Sequence, residues 1–239
     1  DSRVNDDAFW VHQDSNNPAE LYLYKHNGDL QKKISIKGAQ NRDWEDMAIS
    51  TGPVQNTPYI YIADIGDNNS KHTSYSIYRF PEPKATTDIV SQWDKITFVY
   101  PDGSHDAEAM LIDERTKDIY IITKRDATSK VYKLAYPQST TALITATFVT
   151  DLSFTGTVSA AASINGSELI IKTYTTLFYW TRKETESIDS TLNKAPVKLS
   201  YKLEPQGEAV SFKKDNSGFF TLSELGFASS VTLNFYKRL

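Results

Sequence analysis

The sequence predicts an all-β chain, a single β-propeller of five four-stranded blades over residues 1–239, and three observations carry that expectation. Fourteen Tyr and eleven Phe favour pleated strands. Candidate strands are short and separated by turn residues, and few stretches keep a helical period. A motif of an acid followed by small and apolar residues recurs: WEDMAI at 44–49, AEAMLI at 107–112 and GEAVSF at 207–212, with a degenerate copy, VSAAAS, at 158–163. Taking Glu45, Glu108, Ser159 and Glu208 as equivalent gives spacings of 63, 51 and 49 residues, near the length of one propeller blade.

Each motif reads as the inner strand of a blade. Second strands follow as PYIYIADIGDN, DIYIITKRD, ELIIKTYT and GFFTLSE, and third strands as SYSIYRF, SKVYKLAY, LFYWTRK and VTLNFYKRL. Fourth strands are KITFVYP, TATFVTDL and VKLSYKL, and the last motif has none. At the N-terminal end AFWVHQDS, ELYLYKH and LQKKISIKG fit as second, third and fourth strands of a blade without an inner strand. Both missing strands belong at the seam where the ring closes, and propellers hide that edge by letting one terminus complete the other's blade. The expectation is therefore a separate N-terminal segment of roughly 15 to 25 residues, about two strands and a turn, that closes the propeller.

Composition narrows the function. With Lys+Arg at 26 and Asp+Glu at 30, the net charge of -4 provides no basic field for nucleic acid. Zero cysteines removes disulfides, thiolate nucleophiles and cysteine zinc sites, and leaves the compartment open. No apolar run approaches the roughly 20 residues of a membrane span. Serine-hydrolase elbows, zinc-protease helices and glycine-rich phosphate loops have no match.

The acids then acquire a place. The start of an inner strand lies beside the end of the antiparallel second strand. Glu45, Glu108 and Glu208 stand at starts of inner strands, whereas Asp14, Asp64, Asp67, Lys124, Lys172 and Glu224 stand at or near ends of second strands. Both sets are expected to converge on one mouth of the central channel. Crowded carboxylates there must be compensated either by a metal or by Lys124 and Lys172, and for a metal, oxygen ligands with only four histidines in the chain favour calcium over zinc. The expected metal ligands are Glu45, Asp64, Asp67, Glu108 and Glu208. Asp14, Trp44, Lys124, Lys172 and Glu224 are expected to hold a small polar ligand such as a sugar or organic acid, with Trp44 facing it. The plain alternative for DIGDNNS at 64–70 is an Asx-rich turn, and for His105 a loop histidine rather than a general base.

DWEDMA followed by YIADIGDN, then IYRFPEP, YPDG with DAEAM, IITK, and finally QGEA with TLSE, resembles a group of largely uncharacterised, often exported bacterial propeller proteins. More distantly the chain is similar to the calcium-dependent gluconolactonase-like and esterase-like phytase propellers, in which channel-mouth acids hold a metal beside substrate. The resemblance implies a periplasmic or secreted protein, calcium as cofactor, and Glu45, Glu108 and Glu208 facing the channel. Two functional readings follow. Glu45 and Glu108 could serve a metal-assisted or carboxylate hydrolase; alternatively the propeller binds a ligand or a protein without catalysis.

Overall fold

The computed structural model describes residues 1–226 and 229–238, and they form five mainly antiparallel sheets, the blades of a β-propeller. Blade one holds β1 (Ala8–His12), β2 (Glu20–Lys25) and β3 (Leu30–Ile36). Blade two holds β4 (Trp44–Thr51), β5 (Pro58–Asp64) and β6 (Tyr75–Pro81); the chain then lays β7 (Ile89–Val90) parallel to β3 before returning as β8 (Asp94–Val99). Blade three repeats this with β9 (Ala107–Ile112), β10 (Ile119–Thr123) and β11 (Lys130–Leu134). Its β12 (Ile144–Thr145) runs parallel to β8 of the preceding blade, and β13 (Thr147–Asp151) completes its own.

Blade four comprises β14 (Thr157–Ala162), β15 (Glu168–Thr173) and β16 (Leu177–Thr181), a short helix α1 (Ile188–Leu192), and β17 (Val197–Leu199). Blade five has β18 (Ala209–Phe212), β19 (Gly218–Leu222) and β20 (Asn234–Lys237). The expected third strand over 231–239 is thus shorter than its apolar run, and Leu239 lies outside the described residues. The two-residue strands β7 and β12 were not expected from sequence. They cover the outer edges of blades one and two, where unpaired N–H and C=O groups would otherwise stand open.

Second strands such as YIYIA and IYIIT are apolar throughout because a propeller sheet is packed on both faces. Four apolar clusters fill the junctions between neighbouring blades. Trp10, Leu23, Trp44, Ile60 and Phe80 join blades one and two, and Tyr61, Tyr75, Phe98, Met110 and Tyr132 join two and three. Leu111, Ile122, Leu169 and Trp180 join three and four, with Ile188 and Leu192 of α1 added. Ile170, Leu177 and Val210 join four and five. Each such side chain contributes about 1.5–3 kcal/mol by leaving water.

Among the described residues no comparable cluster joins blade five to blade one. The junction is polar and local: the Asp1 carboxylate accepts from Lys214 N at 2.7 Å and lies 2.9 Å from His26 Nε2, whose ring is 5.0 Å from Phe220. Residues 1–7 therefore sit as a loop, pair with no strand, and leave β1 as the innermost strand of its blade.

Candidate functional site at the channel mouth

A β-bulge aims the acids. On β4 the register passes from Trp44 opposite Asp64 to Asp46 opposite Ala63, so Glu45 is the extra residue. On β9 it passes from Ala107 opposite Thr123 to Ala109 opposite Ile122, which makes Glu108 the extra residue. Bulges redirect a side chain out of the pleat, and here they turn both glutamates to the mouth. The bulge on β14 falls at Val158, between Thr157 opposite Thr173 and Ser159 opposite Lys172. The fourth copy is therefore shifted by one from the sequence alignment: Val158 takes the place of Glu45, and Ser159 the place of Asp46.

That register explains Asp46, which sequence reasoning left out of the site. Its carboxylate accepts Met110 N at 2.9 Å and Ala160 N at 3.2 Å, while Ser159 Oγ accepts Val210 N at 3.3 Å. Met110 and Ala160 follow the bulges of β9 and β14 by two residues and Val210 stands two residues after Glu208 on β18, so these contacts tie four blades across the channel. Burial pushes the Asp46 carboxyl up to about 7 despite these donors.

Above this plug lie two groups of charge. Asp14, Asp43 and Glu45 present carboxylate oxygens that all lie within 4.8 Å of one another. Burial first, then Glu108, Asp43 and Asp14, push the Glu45 carboxyl up to about 10. Among the described residues no donor hydrogen-bonds to it. Asp43 is raised as well, by burial and then by Asp14. The second group centres on Lys124, whose Nζ donates to Glu108 and, at 3.1 Å, to Tyr174 Oη, and stands 3.8 Å from Glu208. Burial still pushes Glu108 up to about 7, and burial with the adjacent Glu208 carboxylate does the same to Glu224.

The DIGDN turn frames the first group. Gly66 N donates to Asp43 O at 3.2 Å, and a Cβ on Gly66 would collide with the carboxylates of Glu45 and Asp43. The absence of a side chain at Gly66 lets the backbone come close to the two acids. Asp64 accepts Asp43 N at 2.9 Å and stands 3.8 Å from Arg42, so it orients Asp43 rather than joining the trio.

No family model and no curated protein matches the sequence. Among solved structures the chain is similar to a functionally unknown protein from Desulfotomaculum acetoxidans DSM 771, with a TM-score of 0.40 and 10% identity over 96% of this chain and 66% of that one. It is also similar to the Dos1 propeller, with a TM-score of 0.41 and 8% identity over 92% of this chain and 73% of that one. The chain thus spans about two thirds of the first of these.

Three expected residues are placed away from the mouth. Trp44 is 1% exposed, packs on Tyr78 between blades one and two and donates its indole N–H to Gln40 O at 3.1 Å, so it does not face a ligand. Alternation around the bulge sends Trp44 sideways into the blade junction while Glu45 faces the opening. Lys172 is fully buried; its Nζ donates to Gly207 O and stands 3.9 Å from Glu204, which fastens blade four to the loop entering blade five. Asp67 accepts Lys71 N, His72 N and Tyr75 Oη at 2.8–2.9 Å. Burial opposes its charge, but these donors prevail and hold its pKa below the ordinary value, as in an Asx turn. His105 is likewise structural, with ring nitrogens 3.1 Å from Asp126 and Asp102 inside a cluster with Tyr132.

Proposed function

We propose that the channel mouth binds a divalent cation, calcium by ligand chemistry, on Asp14, Asp43 and Glu45, beside a small polar ligand held by the Lys124–Glu108–Glu208 group. The observation that carries this reading is Glu45: a carboxyl that no donor among the described residues reaches, surrounded by acids and pushed up to about 10. A cation would relieve that repulsion, and an all-oxygen donor set suits calcium better than zinc. When bound, the ion would act as a Lewis acid toward a ligand oxygen. The chain's own contribution would be Lys124, which offers a cation to an anionic ligand group, and Glu108, whose pKa near neutrality suits proton transfer.

Metal-assisted hydrolysis of a sugar, lactone or phosphoester is the catalytic form of this proposal, and ligand binding without turnover is its second form. Glu108 raised into the range of a general acid or base favours the first. Thermal unfolding in EDTA and then in calcium, with metal analysis of the purified protein, tests the cation. A calcium-dependent rise in Tm that Glu45→Gln abolishes is the expected result. An unchanged Tm with no bound metal would remove calcium from the proposal and leave a metal-free pocket to be screened with sugars and organic acids.

A further inference from the structure

The seam between blades one and five is incomplete in a specific way. In blade two the order is β4, β5, β6, β8 and then the parallel edge strand β12; in blade one it is β1, β2, β3 and then the parallel edge strand β7. Matching the edge strands makes β3 equivalent to β8, and β1 equivalent to the second strand β5. Blade one therefore lacks the inner strand that blades two to five possess in β4, β9, β14 and β18.

The edge of β1 that faces the channel still carries hydrogen-bonding groups. Asp7 O accepts His26 N at 2.9 Å, and in an antiparallel ladder bonded pairs alternate, so Phe9 and Val11 bond to β2. The main-chain groups of Ala8, Trp10 and His12 then point the other way. Ala8 O is met by Ser2 N at 2.9 Å, whereas those of Trp10 and His12 meet no partner among the described residues. Beside this edge opens a cavity of about 760 Å³, whose middle is lined by Met47, Met110, Ala160, Val210 and Phe220 and which reaches the mouth acids Glu45 and Glu208 at one end.

We infer that this gap is a docking slot for an extended polypeptide strand from outside the 239 residues, which adds antiparallel to β1 as the inner strand of blade one. Unpaired edge groups beside an apolar groove are what strand addition requires, since main-chain bonds and alternating apolar side chains are satisfied together. A small apolar molecule would fill the groove and leave Trp10 and His12 unmet. Residues 1–3 reach only the far end of this gap, where Ser2 N meets Ala8 O at 2.9 Å, the Asp1 amine donates to Ser211 Oγ at 3.1 Å and the Arg3 guanidinium donates to Ile49 O at 2.6 Å, and they leave the edge at Trp10 and His12 uncovered. The pattern the slot accepts is that of the other inner strands, small and apolar residues in alternation after an acid at the mouth.

The chain itself supplies the probe, a synthetic peptide of sequence 105–113, HDAEAMLID. Because Met110 N turns inward to Asp46, it is Ala109 N and Leu111 N that face β10 in blade three, and their equivalents in the peptide would face β1. Hydrogen exchange of the intact protein reads the result. With peptide at ten times its Kd, exchange at Trp10 and His12 is expected to slow about tenfold. The same peptide with Ala109→Pro and Leu111→Pro is expected to leave it unchanged. Absence of slowing at saturating peptide would overturn the inference, as would equal slowing by the proline form, which would mean filling of an apolar cavity. Protection of Trp10 and His12 before peptide is added, together with a dimer in sedimentation, would overturn it in favour of a second copy. The slot shares its cavity with Asp14, Glu45 and Glu208, so the exchange is followed in EDTA, and a failed cation test then leaves this one unaffected.

Discussion

The carboxylate of Asp46, on the inner strand of blade two, accepts the backbone N–H of Met110 on the inner strand of blade three at 2.9 Å. The same side chain reaches Ala160 N of blade four, and Ser159 passes the arrangement on to Val210 of blade five. These contacts link the inner strands of blades two to five across the channel.

Replacing Asp46 with Ala strands inward N–H groups of two blades without acceptors. Each buried, unsatisfied donor costs about 1–3 kcal/mol, so Asp46→Ala is expected to lose about 2–5 kcal/mol in denaturant unfolding. Asp46→Asn keeps an acceptor oxygen and is expected to lose less. Equal losses for the two variants would show that the hydrogen bonds are not what matters there.

The mouth acids impose a pH dependence of definite sign. Glu45 is raised to about 10, and Glu108 and Glu224 to about 7, from an ordinary 4.5, with burial the largest cause in each. Groups with raised folded pKa values hold more protons folded than unfolded. Their favourable contribution is complete below pH 4.5 and is lost as pH rises through 7 toward 10. In EDTA the Tm is therefore expected to fall between about pH 5 and pH 9, and Glu45→Gln is expected to flatten that slope. A Tm that rises over the same range and is insensitive to Glu45→Gln would refute this account of the mouth.

Lys124 offsets Glu108 and Glu208 from a largely buried position. Lys124→Met leaves those carboxylates without their cation and is expected to cost about 1–3 kcal/mol near pH 8. Near pH 5 the loss is expected to shrink, because a protonated Glu108 no longer needs the partner. Urea unfolding at the two pH values makes the comparison.

Gly66→Ala places a methyl group against the ends of Glu45 and Asp43. Both are side-chain tips that can swing aside, so the fold is expected to survive with a loss of about 1 kcal/mol or less, while calcium-dependent stabilisation disappears. Unfolding with and without calcium separates the two effects.

How far the sequence revealed these features depends on the kind of signal. Five blades, with blade one short of its inner strand and blade five of its outer one, were legible because inner strands repeat an acid before small and apolar residues. The register of the fourth copy was not, since a bulge is a relation between two strands and Val158 and Ser159 supply no acid to mark it. Strands β7 and β12 are two residues long and exist only because a neighbouring blade offers an edge. The convergence of Glu45, Glu108, Glu208 and Glu224 followed from strand direction alone. Trp44, Lys172 and Asp67 were misplaced because their roles are set by packing and by donors distant in sequence: a blade junction for Trp44, the Gly207 carbonyl for Lys172, and a turn with Tyr75 for Asp67. Asp43 was visible as an acid, but its pairing with Asp14 and Glu45 depends on the DIGDN turn folding back at Gly66.

Calorimetric titration of calcium into EDTA-treated protein, wild type beside Glu45→Gln, tests the proposed cation site most directly. The account predicts binding near one ion per chain for the wild type, weakened at least tenfold by Glu45→Gln. No heat of binding in the wild type, or equal affinity in both proteins, would contradict it.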